Sequence, residues 1–347
     1  MLIIRTDSTP EIGTGHIMRC IALAQAWQDR GGEVVFLSHC GSKLLRQRIQ
    51  DEGFNLVSLK TPHPDSFDLE FTLAFLRNLK TSGQKEPIVV ADGYHFDADY
   101  QKAIKENGYK LMVIDDYNHL PLYYADILLN QNINAPELNY SCSENTVQLL
   151  GCKYVMLRQE FLRNRNFKRT IPTKARNILV TMGGADIENI TLKVLKAIYL
   201  LNDLDIEVKV IVGPSNPHLE EIKFYIEDKD LPASLIYSPL PEEMPEFMKW
   251  ADLAITAGGS TCWELVFMGV PSLIITVAEN QEGIGTGLEK FGAARNLGWF
   301  LRIKVNTLKE EIRKILYDGI REKMYLKSKK LIDGLGLERI LYEVTQL

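Results

Sequence analysis

The chain has 347 residues, 46% of them hydrophobic and 24% charged, with a formal net charge of -5. That balance excludes disorder and collagen-like repeats, and it leaves enough apolar material for two domains. It also leaves no basic excess to neutralise a nucleic-acid backbone, and the "LKSKK" run at residues 326–330 reads as a solvated helix face.

The opening segment "MLIIRTDSTPEIG" has neither a basic stretch nor a long apolar core, and no window reaches the roughly 18 apolar residues of a membrane span. Five cysteines, Cys20, Cys40, Cys142, Cys152 and Cys262, stand apart with no CxxC pair. This argues against a disulfide framework or zinc knuckle and for a reducing compartment. A cytoplasmic protein without stable membrane insertion is expected.

Short apolar runs then alternate with helical patterns, the signature of parallel sheets flanked by helices. Strands are predicted at "LIIRTD", "EVVFLSHC", "NLVSL", "PIVVADGY", "KLMVIDD" and "DILLNQN". Between the first two, Ile17, Cys20 or Ile21, Ala24 and Trp27 recur at helical spacing, and Gly31-Gly32 ends the helix. The Arg- and Lys-rich segment 158–177 interrupts the series, and the domain boundary is placed inside it, giving domains 1–168 and 169–347. A second series follows at "NILVTMGG", "IEVKVIVG", "ASLIYSPL", "LAITAGG" and "PSLIITVAEN", with a helical tail broken near Gly334 and Gly336. The expected fold class is α/β, with two Rossmann-like domains facing across a cleft, since ligands of open α/β sheets bind at the carboxyl ends of strands.

Three glycine turns fall at strand-to-helix junctions, where free amides and the helix dipole favour an anion. They are "IGTGHI", "TMGGADIENIT" and "TAGGSTCWE". None is a known phosphate fingerprint: Met18 stands where GxGxxG needs glycine, and no GK[ST] occurs. A nicotinamide enzyme and a P-loop ATPase are therefore not expected. In the last turn, Gly258, Gly259, Ser260 and Thr261 would offer amides and hydroxyls to a diphosphate, with Glu264 one turn on for ribose hydroxyls. An ordinary turn with a Ser or Thr cap fits the same residues, as it fits Asn189 and Thr191 in the turn before.

In "GTGHI", Gly13 and Gly15 let a ligand approach the backbone, and His16 follows in the first helical turn. A helix N-terminus disfavours an imidazolium, so His16 is expected to be neutral near pH 7 and able to accept a proton. A histidine that merely caps or packs is the alternative. His39, His63, His95, His119 and His218 have no second ligand at metal-type spacing and carry no argument. Asp-x-Asp pairs at Asp97/Asp99, Asp203/Asp205 and Asp228/Asp230 are too common a pattern to imply a metal. Neither metal nor cofactor is expected.

Seven blocks between residue 4 and about 281 together resemble one family: "RTDSTPEIGTGHIMRCIALAQAW", "VVADGYHFD", "VIDDYN", "ADILLNQNINA", "LLGCKYVMLRQEF", "VTMGGADIENIT" and "AGGSTCWELVFMGVPSLIITVAENQ". They are similar in order and spacing to the UDP-2,4-diacetamido-2,4,6-trideoxy-β-L-altropyranose hydrolases of pseudaminic acid biosynthesis. Spore-coat polysaccharide proteins share the same blocks. The resemblance implies a GT-B-like fold whose C-terminal domain holds UDP. It also implies a reaction in which His16 activates water to cleave the anomeric C1–O bond with inversion.

By the same resemblance Tyr94 and Asp92 would line the sugar side, and Asn280 and Gln281 would contact the sugar or position the water. Gly258 to Thr261 and Gly184 would take the diphosphate, and Glu264 the ribose. Arg5 and Asp7 would support the "GTGH" turn, a structural ion pair being the other reading. The chain departs from compact members in its helical tail from about Thr307 and in extra residues around "KTPHPDSFDLEF". A UDP-sugar is the expected partner and a monomer the expected state. A GT-B glycosyltransferase is the nearest rival, followed by a hydrolysing 2-epimerase and by a non-catalytic nucleotide-sugar sensor.

Overall fold

Runs such as "LIIRT" and "SLIIT" are apolar on both faces, so they form strands only where helices cover both sides of a sheet. The computed structural model describes residues 1–9, 11–81, 86–203, 205–317 and 319–347, and the chain divides into two units, Met1–Gln159 with Leu335–Leu347, and Glu160–Gly334. The first unit holds strands β1 (Leu2–Thr6), β2 (Val34–Ser38), β3 (Asn55–Ser58), β4 (Ile88–Asp92), β5 (Lys110–Ile114), β6 (Ile127–Asn130) and β7 (Val147–Leu150). Helices α1 (Gly15–Gln28), α2 (Lys43–Asp51), α3 (Asp68–Thr81) and α4 (Ala98–Glu106) alternate with them.

The short helix α5 (Gln159–Leu162) precedes the strands of the second unit: β8 (Asn177–Thr181), β9 (Glu207–Val212), β10 (Ala233–Tyr237), β11 (Leu253–Ala257), β12 (Ser272–Thr276) and β13 (Arg295–Trp299). Its helices are α6 (Ile190–Tyr199), α7 (Leu219–Asp228), α8 (Glu243–Trp250), α9 (Thr261–Phe267), α10 (Glu282–Phe291), α11 (Val305–Tyr317) and α12 (Ile320–Leu331). The last helix, α13 (Gly336–Val344), belongs to the first unit.

Every named strand pair is parallel. The first sheet runs β3-β2-β1-β4-β5-β6-β7 and the second β10-β9-β8-β11-β12-β13. In each, the strand order reverses once, between β1 and β4 and between β8 and β11. The loops leaving those two strands diverge, which opens a crevice at their carboxyl ends. Ile3, Leu37, Val89, Leu111 and Leu128 are in the core of the first unit, and Ile178, Val208, Ile255, Leu273 and Ile312 in that of the second. Each such side chain is worth about 1.5–3 kcal/mol when fully buried.

The structure departs from the sequence reading in three places. Strand β7 adds an edge to the first sheet and β13 to the second, and neither has the uniform apolar run of its neighbours. The division falls at Gln159/Glu160 rather than near 170, so all but the first two residues of the Arg-rich segment lie in the second unit. The tail is split: α11 and α12 stay with the second unit, while α13 packs Leu337, Ile340, Leu341 and Val344 into the first, in contact with α1. Gly336 makes this possible, because a Cβ there would sit 2.2 Å from the Val155 carbonyl oxygen.

Candidate active site

The crevice between β1 and β4 holds a cluster of polar side chains in the first unit. Gly13 adopts a left-handed φ of +79°, open to glycine without strain, and Ser8 Oγ donates to its carbonyl at 2.7 Å. That turn starts α1 at Gly15 with no side-chain cap and no acid in its first turn, so its leading amides keep their affinity for an anion.

His16, one residue in, is only 6% exposed. Its Nδ1 lies 2.6 Å from Oδ1 of Asp92, the last residue of β4. An ionised carboxylate only accepts, so Nδ1 donates its proton to Asp92, and Nε2 is the ring nitrogen turned away from that bond. Among the described residues no hydrogen bond reaches that nitrogen.

Asp92 is fully buried and is shared. Arg19, one turn beyond His16 on α1, donates to it from Nε at 2.7 Å and from a terminal nitrogen at 2.6 Å, and Cys20 Sγ approaches at 3.3 Å. Burial pushes the Asp92 carboxyl up, but the charge of Arg19 and the hydrogen bonds from Arg19 and His16 more than reverse this and hold it well below the usual range. The other terminal nitrogen of Arg19 donates to Asp116 at 2.8 Å. Asp116 also accepts from Tyr94 Oη at 2.5 Å and from Asn132 Nδ2 at 2.9 Å.

Tyr94 presents its ring edge-on to His16, 4.8 Å between centroids. Its carbonyl oxygen lies 3.0 Å from Nε2 of His119, whose Nδ1 is 2.7 Å from Asp115. The structure thus brings together His16, Asp92, Tyr94, Gly13 and Gly15. Arg19, Asp116, Asn132, Asp115 and His119 complete the group, and the sequence reading gave them no role. All except Arg19 lie on or just beyond β5 and β6, after apolar runs ending in "DD" or "NQN", and that position is the signal that would have found them.

Arg5 and Asp7 form an ion pair, the structural one of the two sequence readings. Arg5 is fully buried and donates to both oxygens of Asp7 and, from Nε, to Asp68 at 2.9 Å. Asp7 accepts the backbone N–H of His39 at 2.7 Å and of His63 at 2.8 Å. The pair therefore ties together the segments that follow β2 and β3 instead of supporting the "GTGH" turn. An arginine so enclosed offers nothing to a ligand.

In the second unit, the loops after β8 and β11 also lie beside the strand reversal, but their groups are largely engaged with one another. Asp186 accepts from the amides of Ile190 and Thr191 at 2.8 and 3.0 Å, and Asn189 Oδ1 from Leu192 at 3.3 Å. The α6 N-terminus thus already faces its own carboxyl group, and the Gly184 turn leads to an occupied helix end. Gly184's carbonyl accepts from Ser215 at 3.1 Å.

The turn after β11 differs. Ser260 makes no side-chain cap to α9, so its hydroxyl is not spent as the capping reading supposes. Cys262 and Trp263 donate back to the carbonyls of Gly259 and Ser260, both at 3.0 Å. Gln281 Oε1 accepts from Gly258 and Val277, both at 3.1 Å. It is a clamp between two loops, and the Gly258 amide is unavailable for a phosphate. Gly259, Ser260, Thr261, Glu264 and Asn280 lie partly buried around this turn.

The Glycosyltransferase family 28 C-terminal domain matches residues 177–331. An uncharacterized protein of Methanocaldococcus jannaschii is 30% identical over 80% of this chain and 56% of its own length, so the chain spans a little over half of that relative. The spore coat polysaccharide biosynthesis protein SpsG of Bacillus subtilis is 27% identical over 97% of this chain and 95% of its own. The UDP-2,4-diacetamido-2,4,6-trideoxy-β-L-altropyranose hydrolase of Campylobacter jejuni is 25% identical over 84% and 97%. Among solved structures, Acinetobacter baumannii MurG superposes with a TM-score of 0.67 at 14% identity, covering 100% of this chain and 99% of that one. The fold is that of the GT-B glycosyltransferases, and among the described residues no helix is long and apolar enough to cross a membrane.

Proposed function

We propose, from the kinship of this chain with the altropyranose hydrolases and with SpsG, that it is a UDP-sugar-processing enzyme that hydrolyses a UDP-linked 2,4-diacetamido-2,4,6-trideoxy sugar. The observation that carries the reading is the buried Asp92–His16 pair, with Nε2 of His16 left as a base beside Tyr94. In this reading Nε2 takes a proton from water as the water oxygen bonds to the anomeric carbon, and the bond from that carbon to the diphosphate oxygen breaks. UDP departs with the bonding electrons, the free sugar keeps the new hydroxyl, and its anomeric configuration is inverted.

Asp92 holds the imidazole in the required tautomer and balances the imidazolium that forms. Tyr94 borders the sugar, the uncapped start of α1 faces negative charge, and Gly259 to Thr261 with Glu264 and Asn280 serve the nucleotide and sugar. UDP is a good leaving group, so backbone amides suffice for its departure and the mechanism invokes no metal. The protein acts in the cytoplasm as a monomer.

The test is a proton NMR time course of the purified chain with UDP-2,4-diacetamido-2,4,6-trideoxy-β-L-altropyranose, without acceptor. UDP and free sugar should accumulate, the opposite anomer appearing first. UDP binding without turnover would point instead to a transferase, the reading favoured by the family 28 match.

A further inference from the structure

His16 and Asp92 are bonded to each other, and what fixes the protons between them is not contained in that pair. A buried carboxylate facing an imidazole with no other partner draws a second proton onto the ring. That second proton would come to rest on Nε2 as an imidazolium, and the base would be lost. Asp92 has another partner here. Arg19 covers both its oxygens, from Nε to Oδ2 and from a terminal nitrogen to Oδ1, the same oxygen that His16 meets.

We propose that Arg19 is a positioning residue that keeps Nε2 of His16 free of a proton, by matching the charge of Asp92 so that the carboxylate stays an acceptor and takes only the Nδ1 proton. The inference rests on the hydrolase reading for its consequence, though not for its geometry. The groups facing His16 are few. Arg19 comes from its own helix, Asp92, which Cys20 also meets, from the end of β4, and Tyr94 and, further out, His95 from the segment that follows. Asp116, after β5, meets Arg19 and Tyr94 and does not bond to His16. Arg19 is the permanent cation of this group, and it is 7% exposed, where solvent does little to weaken its effect. Asp116, itself held by Asn132, fixes the other edge of the arginine, so Arg19 is held from two sides.

The test reads the protons directly. In histidine labelled with nitrogen-15, the ring shifts report which nitrogen is protonated, and the measurement needs no substrate. Wild type at about pH 7.5 should show His16 with a bare Nε2. Arg19→Met should show that nitrogen protonated, with kcat/KM at the same pH at least about tenfold lower and part of the loss recovered at higher pH. Arg19→Lys, which keeps the charge, should restore the bare nitrogen.

Arg19→Met leaves Asp116 without its cation, so the experiment is also run on Arg19→Met paired with Asp116→Asn, which removes that buried charge. A folded variant of either kind that keeps Nε2 bare, as in wild type, would overturn the proposal. If the nitrogen becomes protonated while wild type fails to turn over the UDP-sugar, the hydrolase reading falls and the role of Arg19 stands.

Discussion

The first unit contains the same trio twice, and the two copies have different work. Asp92 is flanked by Arg19 and His16. Asp68 is flanked by Arg5 and His63, with His63 Nδ1 at 2.8 Å. The chemistry of the bonds is alike, and the surroundings differ. His63 is stacked on Phe96 and edge-on to Tyr100, both 5.0 Å away, and its backbone N–H is held by Asp7. His16 sits at the start of an uncapped helix beside a tyrosine, at the strand reversal. A buried aspartate with arginine and histidine is thus a bracing device in one place and a candidate for proton transfer in the other. Location relative to the carboxyl ends of β1 and β4 tells them apart.

Matched substitutions test that contrast. Asp92→Asn should lower kcat/KM by about 10²–10⁴-fold, because an amide can donate to Nδ1 and push the proton onto Nε2. Asp68→Asn should change the rate of the folded protein by less than about threefold while costing about 1–3 kcal/mol of stability through lost hydrogen bonds. Steady-state kinetics and urea unfolding on the two variants decide the matter, and equal rate losses would abolish the distinction.

A smaller effect concerns pH. Burial raises the Asp68 carboxyl, but the hydrogen bond from His63 and the charge of Arg5 more than offset this, so it lies below its usual range. A depressed folded-state value gives stability that is complete above the unfolded value, near about 4, and is lost as pH falls through the folded one. Unfolding free energy should therefore decline less steeply below about pH 4 in Asp68→Asn than in wild type. Parallel curves would show that Asp68 contributes nothing to acid sensitivity.

Most of the fold was legible because buried parallel strands are written as unbroken apolar runs. Two edge strands, β7 and β13, are not. "VQLL" has two exposed residues, and "RNLGW" is half-buried throughout and carries Gly298 at φ +81° with a register shift beside it. The fate of the tail was unreadable too, since the amphipathic pattern of α13 says that it packs but not on which unit.

At the site, His16 could be picked out because it follows an apolar run and a glycine turn, whereas Asp92 and Tyr94 were reached only through the family resemblance. Their mutual bonds join positions 76 residues apart in the case of His16 and Asp92, and spacing carries no trace of that. Arg19 looked like an ordinary helix residue, although its neighbours Cys20 and Ile21 are core. A charge inside an apolar helix face was the clue. For Arg5 and Asp7, the structural ion pair was the better of the two readings offered, because an arginine within a run of buried strand residues must find its partners inside.

In the proposed reaction, turnover depends on proton removal by His16. The most direct test is kcat/KM of His16→Asn for the UDP-sugar, with UDP affinity measured on the same protein. A loss of at least about 100-fold with UDP affinity unchanged is the expected result, because positioned proton transfer contributes about 10²–10⁴-fold. A variant that keeps more than about a tenth of the wild-type value would contradict it.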